Sequence, residues 1–297
     1  MPSFTRFRGF RLQPRYRSVV WTETCRSRNW ASLALYACNM TDGLGHPLGT
    51  PENRDINLTA EQAGRLLNGA CGFQADRIQA RERCREDFRR AEREDGNTLS
   101  ILIDGQLAAI DTKMVRPISK VDPAVSYQIG LVTSYIRTHF VVTDLILNGD
   151  LIEAATLVRK QLESIARLHE LDHKPIEKLH GRTPNVGQFF RHGGGEMYGT
   201  LSEVAHFSKP RVSEFMRVIQ DGERIGPSLH PVFAELSFAC LDMHHFVSIY
   251  FLGWITEKLS EWYPELDHSE NQTLLYMTIA LAQRIDVIRL PDKAEES

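Results

Sequence analysis

Tyr198, Ser202 and His206 follow one another at four-residue steps in the stretch MYGTLSEVAHFSKP, residues 197–210. On a helix that spacing stacks a phenol, a hydroxyl and an imidazole along one face, a set able to hold a ligand, move a proton or brace a neighbouring helix. A second set with the same spacing, Arg159, Glu163 and Arg167 in AATLVRKQLESIARL, runs beside an apolar stripe centred on Leu162. Side chains at that boundary can turn inward, and charges taken out of water need partners or cost several kcal/mol. The expectation is an internal cluster of Arg159, Glu163, Tyr198, Ser202 and His206. In it Glu163 pairs with Arg159 and orients or charges His206, and Tyr198 and Ser202 complete the hydrogen bonding. Such a cluster suits a module that binds a small polar ligand or a protein partner.

Three other patterns resemble known chemistry. His192 to Gly195 reads HGGG, the oxyanion-hole motif of some esterases. That chemistry needs strands and a Gly-x-Ser-x-Gly elbow, and Ser202 sits in LSEV instead. His169 to His173 reads HELDH, a formal His-Glu-x-x-His zinc signature. Asp172 and Lys174 put charges beside it, Pro175 ends the helix at once, and His180 is not at the usual third-ligand spacing, so a buried seam ending at the helix C-terminus is the simpler reading. Glu-x-x-His occurs at Glu170/His173, Glu177/His180, Glu203/His206 and Glu265/His268, which invites a di-iron bundle. The partner carboxylates are missing, because the helix over 122–147 carries no glutamate. The sequence assigns no metal and no cofactor.

The pairing of VRKQLES with YGTLSEVAHFS resembles a widespread group of bacterial helical proteins, a domain-of-unknown-function family with the patterns Arg-x-x-x-Glu and Tyr-x-x-Leu-Ser-x-x-x-His. The resemblance spans about residues 122–290 and implies an α-helical bundle with the polar cluster named above, and no known reaction. In that family a proline closely follows the histidine, whereas here Phe207-Ser208-Lys209 intervenes before Pro210. RLHELDH is also similar to the signature of helical nucleic-acid-processing domains in toxin and phage-defence systems, an arginine followed by four to six residues and a histidine. That similarity implies a metal-independent ribonuclease in which Arg167 holds phosphate and His173 is the acid/base, although Leu168 stands where those domains prefer a polar residue. Nucleic acid is a partner only in this alternative.

The elements that must position these residues read as helices. Thr59 with Gln62 forms a capping box, opening a helix with apolar positions Ala63, Leu66, Ala70, Phe73, Ala80, Cys84, Phe88 and Ala91 that runs to Asp95-Gly96. Its second half alternates arginines and acids, as a solvated, salt-bridged face does. Residues 98–114 fit helical spacing, with a hairpin at Asp104-Gly105 as the alternative. Asp122-Pro123 starts a helix that Gly149 stops, Asp150 caps its return, and the pair forms an antiparallel hairpin. A very apolar helix follows His230-Pro231 to about Trp262, and another covers about 270–288. No stretch reads as an alternating strand. The fold class is all-α: an antiparallel helix bundle over 121–290, preceded by a charged helix and connector at 58–120 and an irregular N-terminal arm at 1–57, and followed by a tail at 291–297.

The totals agree with a folded globular chain: 297 residues, 42% hydrophobic, 25% charged, net charge −3. Residues 1–28 carry seven arginines against one acid, Glu23, but the whole chain has no basic excess to draw it to nucleic acid or anionic lipid. Five widely spaced cysteines without a Cys-x-x-Cys pair read as reduced thiols in the cytoplasm. Residues 232–255 contain Glu235, Asp242, His244 and His245, which favours a buried core helix over a membrane span. Long apolar helices with two apolar edges make a homodimer an expectation as well.

Overall fold

The capping box predicted at Thr59 opens the first helix of the described residues: the Thr59 N–H donates to Gln62 Oε1 at 2.9 Å, and the Gln62 N–H donates to Thr59 Oγ1 at 3.2 Å. The computed structural model describes residues 59–118, 120–190, 194–209, 212, 215–216, 218–221 and 224–288. The predicted arm at 1–57 and tail at 291–297 lie outside them. The chain divides into two units: Arg6–Gly69, of which 59–69 are described, and Ala70–Ser297 together with Met1–Thr5.

Helix α1 (Ala60–Ala91) buries Ala80, Cys84 and Phe88, one residue per turn, while Phe73 of the predicted seam is 47% exposed. The expected stop at Asp95-Gly96 is instead a start. The chain breaks at Glu92-Arg93, and α2 (Glu94–Met114) places Glu94 and Asp95 in its first turn, where carboxylates suit the positive helix end. No hairpin forms at Asp104-Gly105, because Leu99, Ile103, Leu107 and Ile110 give α2 a continuous buried stripe.

Helix α3 (Pro123–Leu147) begins as predicted, with Asp122 Oδ1 accepting from the Val125 N–H at 2.8 Å. It ends in a Schellman motif: the Gly149 N–H donates to the Ile146 carbonyl at 3.1 Å and the Asp150 N–H to the Leu145 carbonyl at 2.9 Å. Gly149 has φ +78°, and a Cβ there would lie 3.1 Å from Cys84 Sγ and 3.3 Å from Pro231 Cβ. Gly149→Ala is therefore expected to destabilise the fold by about 1–3 kcal/mol in urea unfolding, from the strained φ and the lack of space together.

Helix α4 (Leu151–His173) returns antiparallel along α3. Asp150 does not cap it by its side chain, as the sequence suggested. Its carboxylate instead takes Arg81, with Arg77 at 3.9 Å, while Arg85 donates to Asn148 Oδ1 at 2.8 Å and to Asp144 Oδ1 at 2.6 Å. Arg77, Arg81 and Arg85 stand at four-residue steps, so part of the face of α1 expected to be solvated grips the α3–α4 turn.

Beyond a short 3-10 turn and α5 (Val186–Phe189), α6 (Gly194–Ala205) lies against α4. Helix α7 (Leu236–Trp262) is the centre of the bundle and packs on α2, α3, α4 and α8 (Ser269–Arg284). It is the one helix among the described residues long and apolar enough to cross a membrane, and 72% of its most apolar window is buried inside this fold. A helix apolar on every side belongs in such a core. Tyr135 of α3 stacks on Phe251 of α7 with ring centroids 3.9 Å apart.

The fold is an all-α antiparallel bundle with one exception to the strand-free expectation. β1 (Val218–Asp221) and β2 (Arg224–Pro227) pair antiparallel, Val218 opposite Pro227 and Asp221 opposite Arg224. Four residues per strand give an alternating pattern too short to recognise in the sequence.

Candidate functional site

Arg159 and Glu163 sit one turn apart on α4, and Tyr198 and Ser202 one turn apart on α6, so the packing of α6 against α4 brings the two sets face to face. His206 lies just past Ala205, but its N–H still donates to the Ser202 carbonyl at 3.1 Å, which keeps it on the same face. Phe207 then takes the left-handed conformation, φ 49°, and the Phe207 and Ser208 amides close the helix on the Val204 and Glu203 carbonyls. A non-glycine residue in that position ends α6 without the early proline of the resembled family.

The guanidinium of Arg159 is the hub. Nη1 donates to His206 Nε2 at 2.9 Å, Nη2 donates to the Tyr198 hydroxyl at 3.1 Å, and Glu163 Oε1 lies 3.1 Å from Nη2. Tyr198 donates in turn to Glu163 Oε1 at 2.7 Å, and the guanidinium carbon is 5.1 Å from the centre of the Tyr198 ring. The Tyr198 hydrogen bond raises the Arg159 pKa, against a lowering by burial, and Glu163 adds to the rise, so the cation is firmly held. A guanidinium only donates, so His206 Nε2 is the acceptor in this hydrogen bond. Two expected contacts are absent from this arrangement. Arg159, not Glu163, orients His206, and the Ser202 hydroxyl donates to the Tyr198 carbonyl of its own helix at 2.7 Å. Arg159 and Glu163 are half-buried and His206 is exposed, which places the cluster at the rim of the bundle rather than inside it.

Arg167 and His173 are not brought together. Arg167 is 5% exposed; Nη1 donates to the Leu179 carbonyl at 3.2 Å and Nη2 to the Arg182 carbonyl, and Glu170 lies 3.3 Å away. Both terminal nitrogens tie down the loop after α4, and the side chain is buried there. His173 is exposed at the end of the helix. Both acids of HELDH are likewise committed. Glu170 takes Lys174 and the Asn185 N–H, at 3.3 Å and 3.4 Å. Asp172 accepts from Gln128 at 2.8 Å, Trp254 Nε1 at 2.6 Å and Lys258 at 2.9 Å. The charge that looked misplaced in the sequence is a lock between α3, α4 and α7.

The four Glu-x-x-His matches do not converge. Glu203 pairs with Lys209, and His268 Nε2 lies 2.8 Å from the Tyr263 carbonyl. Among the described residues no group of three or more His, Cys, Asp or Glu is gathered for a metal ion. His192 and Gly193 of the HGGG stretch lie outside the described residues. Burial pushes the thiols of Cys84 and Cys240 up to about 11 and about 12, so neither is a ready nucleophile.

Sequence reasoning missed a buried network around three histidines. His139 Nε2 lies 2.8 Å from Asp104 Oδ1, and His139 Nδ1 lies 3.2 Å from Ser248 Oγ. The order Asp, His, Ser is that of a hydrolase triad, but its depth is inverted: the Asp104 side chain is 42% exposed and Ser248 is fully buried. Ser248 also donates to the His244 carbonyl at 2.8 Å and accepts from Tyr135 at 3.3 Å, so no substrate reaches the hydroxyl and the network braces α2, α3 and α7. His244 Nδ1 meets Gln161 Oε1 at 3.1 Å, and His245 Nε2 meets Ser100 Oγ at 3.0 Å. A signal was present, since His139 stands in the apolar seam Val132, Tyr135, Val142 and Ile146 of α3.

Comparison with protein-family models, with curated proteins and with solved structures finds no match for this chain.

Proposed function

We propose that this bundle is a binding module whose site is the α4–α6 rim, where Arg159, Tyr198, Glu163 and His206 receive a small polar ligand or a polar group of a protein partner. One observation supports the reading above others: a guanidinium held by three side chains, with an exposed imidazole as its outermost partner. The cation is preorganised by Tyr198 and Glu163, and only the His206 bond must yield for a ligand acceptor to take its place. Ser202 supports the α6 turn beneath. The same arrangement fits the family resembled through Arg159, Glu163, Tyr198, Ser202 and His206. The setting we propose is cytoplasmic, consistent with free thiols at Cys71, Cys84 and Cys240.

The unfolding free energy of His206→Ala tests this. An exposed ligand-facing imidazole is expected to change stability by no more than about 0.5 kcal/mol, whereas a loss of about 2 kcal/mol or more would make His206 a structural brace and remove the reading. A thermal-shift panel of small carboxylates, phosphates and polyols on the parent, His206→Ala and Glu163→Gln completes it. The expected result is a compound that stabilises the parent and neither variant.

A further inference from the structure

We infer that His169 and His173, on the last turn of α4, form a two-imidazole site for a divalent late first-row transition-metal ion. The pair is four residues apart on a rigid helix, and its ring centroids are 4.6 Å apart. With a metal–nitrogen bond of about 2.0–2.1 Å, about 1.1 Å from ring nitrogen to centroid, and a bond angle between about 90° and 109°, two imidazoles on one ion have centroids about 4.5–5.2 Å apart. The observed separation falls in that range without rearrangement of the helix.

The ring nitrogens are also free to bind. Neither histidine makes a hydrogen bond among the described residues, and none of their nitrogens is among the buried atoms left without a partner, so they reach solvent. The three histidines of the network that joins α2, α3 and α7 are by contrast already bonded. Phe189 packs on His169 with centroids 4.8 Å apart and limits how that ring can turn.

The ligand set defines the ion. Glu170 and Asp172 lie between and beside the histidines in sequence, but both are held elsewhere, so the protein contributes two neutral nitrogens and no carboxylate. Magnesium and calcium prefer oxygen ligands and are excluded by that chemistry. Among the late metals, Cu²⁺ binds such a set more tightly than Ni²⁺ or Zn²⁺, and water fills the remaining positions. Glu170 is buried, with Oε1 taken by Lys174 and Asn185 and Oε2 beside the Arg167 cation, so the inference is metal binding and not the peptidase chemistry its letters suggest.

Calorimetric titration of the full chain with CuCl₂, NiCl₂ and ZnCl₂ tests the site, with His173→Ala as the main variant because His173 is exposed and its loss leaves the fold intact. The expected result is one high-affinity Cu²⁺ per chain, bound more tightly than Ni²⁺ or Zn²⁺. His173→Ala should lower that affinity at least about tenfold, as should His169→Gln, while His180→Ala, in the exposed loop beyond the helix, leaves it unchanged. Electron paramagnetic resonance of the copper complex should show two coordinated nitrogens in the parent and one in His173→Ala. Equal copper affinity in the parent and His173→Ala, or a spectrum without two nitrogens in the parent, would overturn the inference.

Discussion

Acidification from about pH 7 to about pH 5 is expected to remove about 2 kcal/mol of stability through His245 alone. Burial, and then the nearby His139, pushes the His245 pKa down from 6.5 to about 3. Between those two values the unfolded chain holds a proton that the folded chain refuses. Stability is therefore intact above about 6.5 and falls steadily as the pH drops towards 3. His244 is shifted well downward by burial and by its neighbours His139 and His245, and adds to the loss in the same direction. His245→Gln, which can keep a hydrogen bond to Ser100, should flatten the urea-derived stability curve between about pH 6 and pH 4 by close to one proton. Identical pH slopes in parent and variant would show that His245 does not stay neutral in the fold.

One half-buried acid, Asp242, works against this trend. Burial raises Asp242 from 3.8 to about 6, with Arg93 only partly offsetting it. A carboxyl shifted upward keeps its proton longest in the folded state, so acidification through the window from 6 to 3.8 returns stability, about 1.4 kcal/mol by about pH 5. Asp242→Asn should consequently make the protein more stable above pH 6, by about 1–3 kcal/mol, and make its acid sensitivity steeper. The parent curve is the difference of the two effects, and the variants separate them.

How much of this was legible in the sequence follows from the range of each signal. The α3–α4 hairpin was readable because its determinants are local: Asp122 and Pro123 at one end, Asn148, Gly149 and Asp150 at the other. The side chain of Asp150 was not, because its use is set by Arg77 and Arg81 some seventy residues earlier. The same division runs through the polar cluster. Four-residue spacing placed Arg159 with Glu163, and Tyr198 with Ser202 and His206, but the register of α6 on α4 decided that Arg159 meets His206. HELDH shows the limit most plainly, since five letters fit a metal motif while Glu170 and Asp172 answer to Arg167, Gln128, Trp254 and Lys258. The buried histidines were visible as residues in apolar seams, and only packing shows that α3 and α7 bring them together.

Arg167→Ala is expected to cost about 3–5 kcal/mol, the range for removing one member of a buried ion pair. The side chain is buried, joins α4 to the Leu179 and Arg182 carbonyls, and neutralises Glu170, which is itself only 9% exposed. Truncation leaves the Arg182 carbonyl without the Arg167 donor, the Leu179 carbonyl with the Arg182 N–H at 3.2 Å, and Glu170 with the more exposed Lys174 as its remaining cation. Arg167→Lys should recover part of the loss, because an ammonium restores the charge but cannot reach two carbonyls in the fixed fork of a guanidinium. The double variant Arg167→Met/Glu170→Gln should be more stable than Arg167→Ala, since no unpaired charge is left behind. Urea unfolding of the three variants measures each step. A ribonuclease that used Arg167 to hold phosphate would give the opposite pattern, an intact fold with activity lost. A cost below about 1 kcal/mol for Arg167→Ala would therefore return that guanidinium to the list of groups free to act on a ligand.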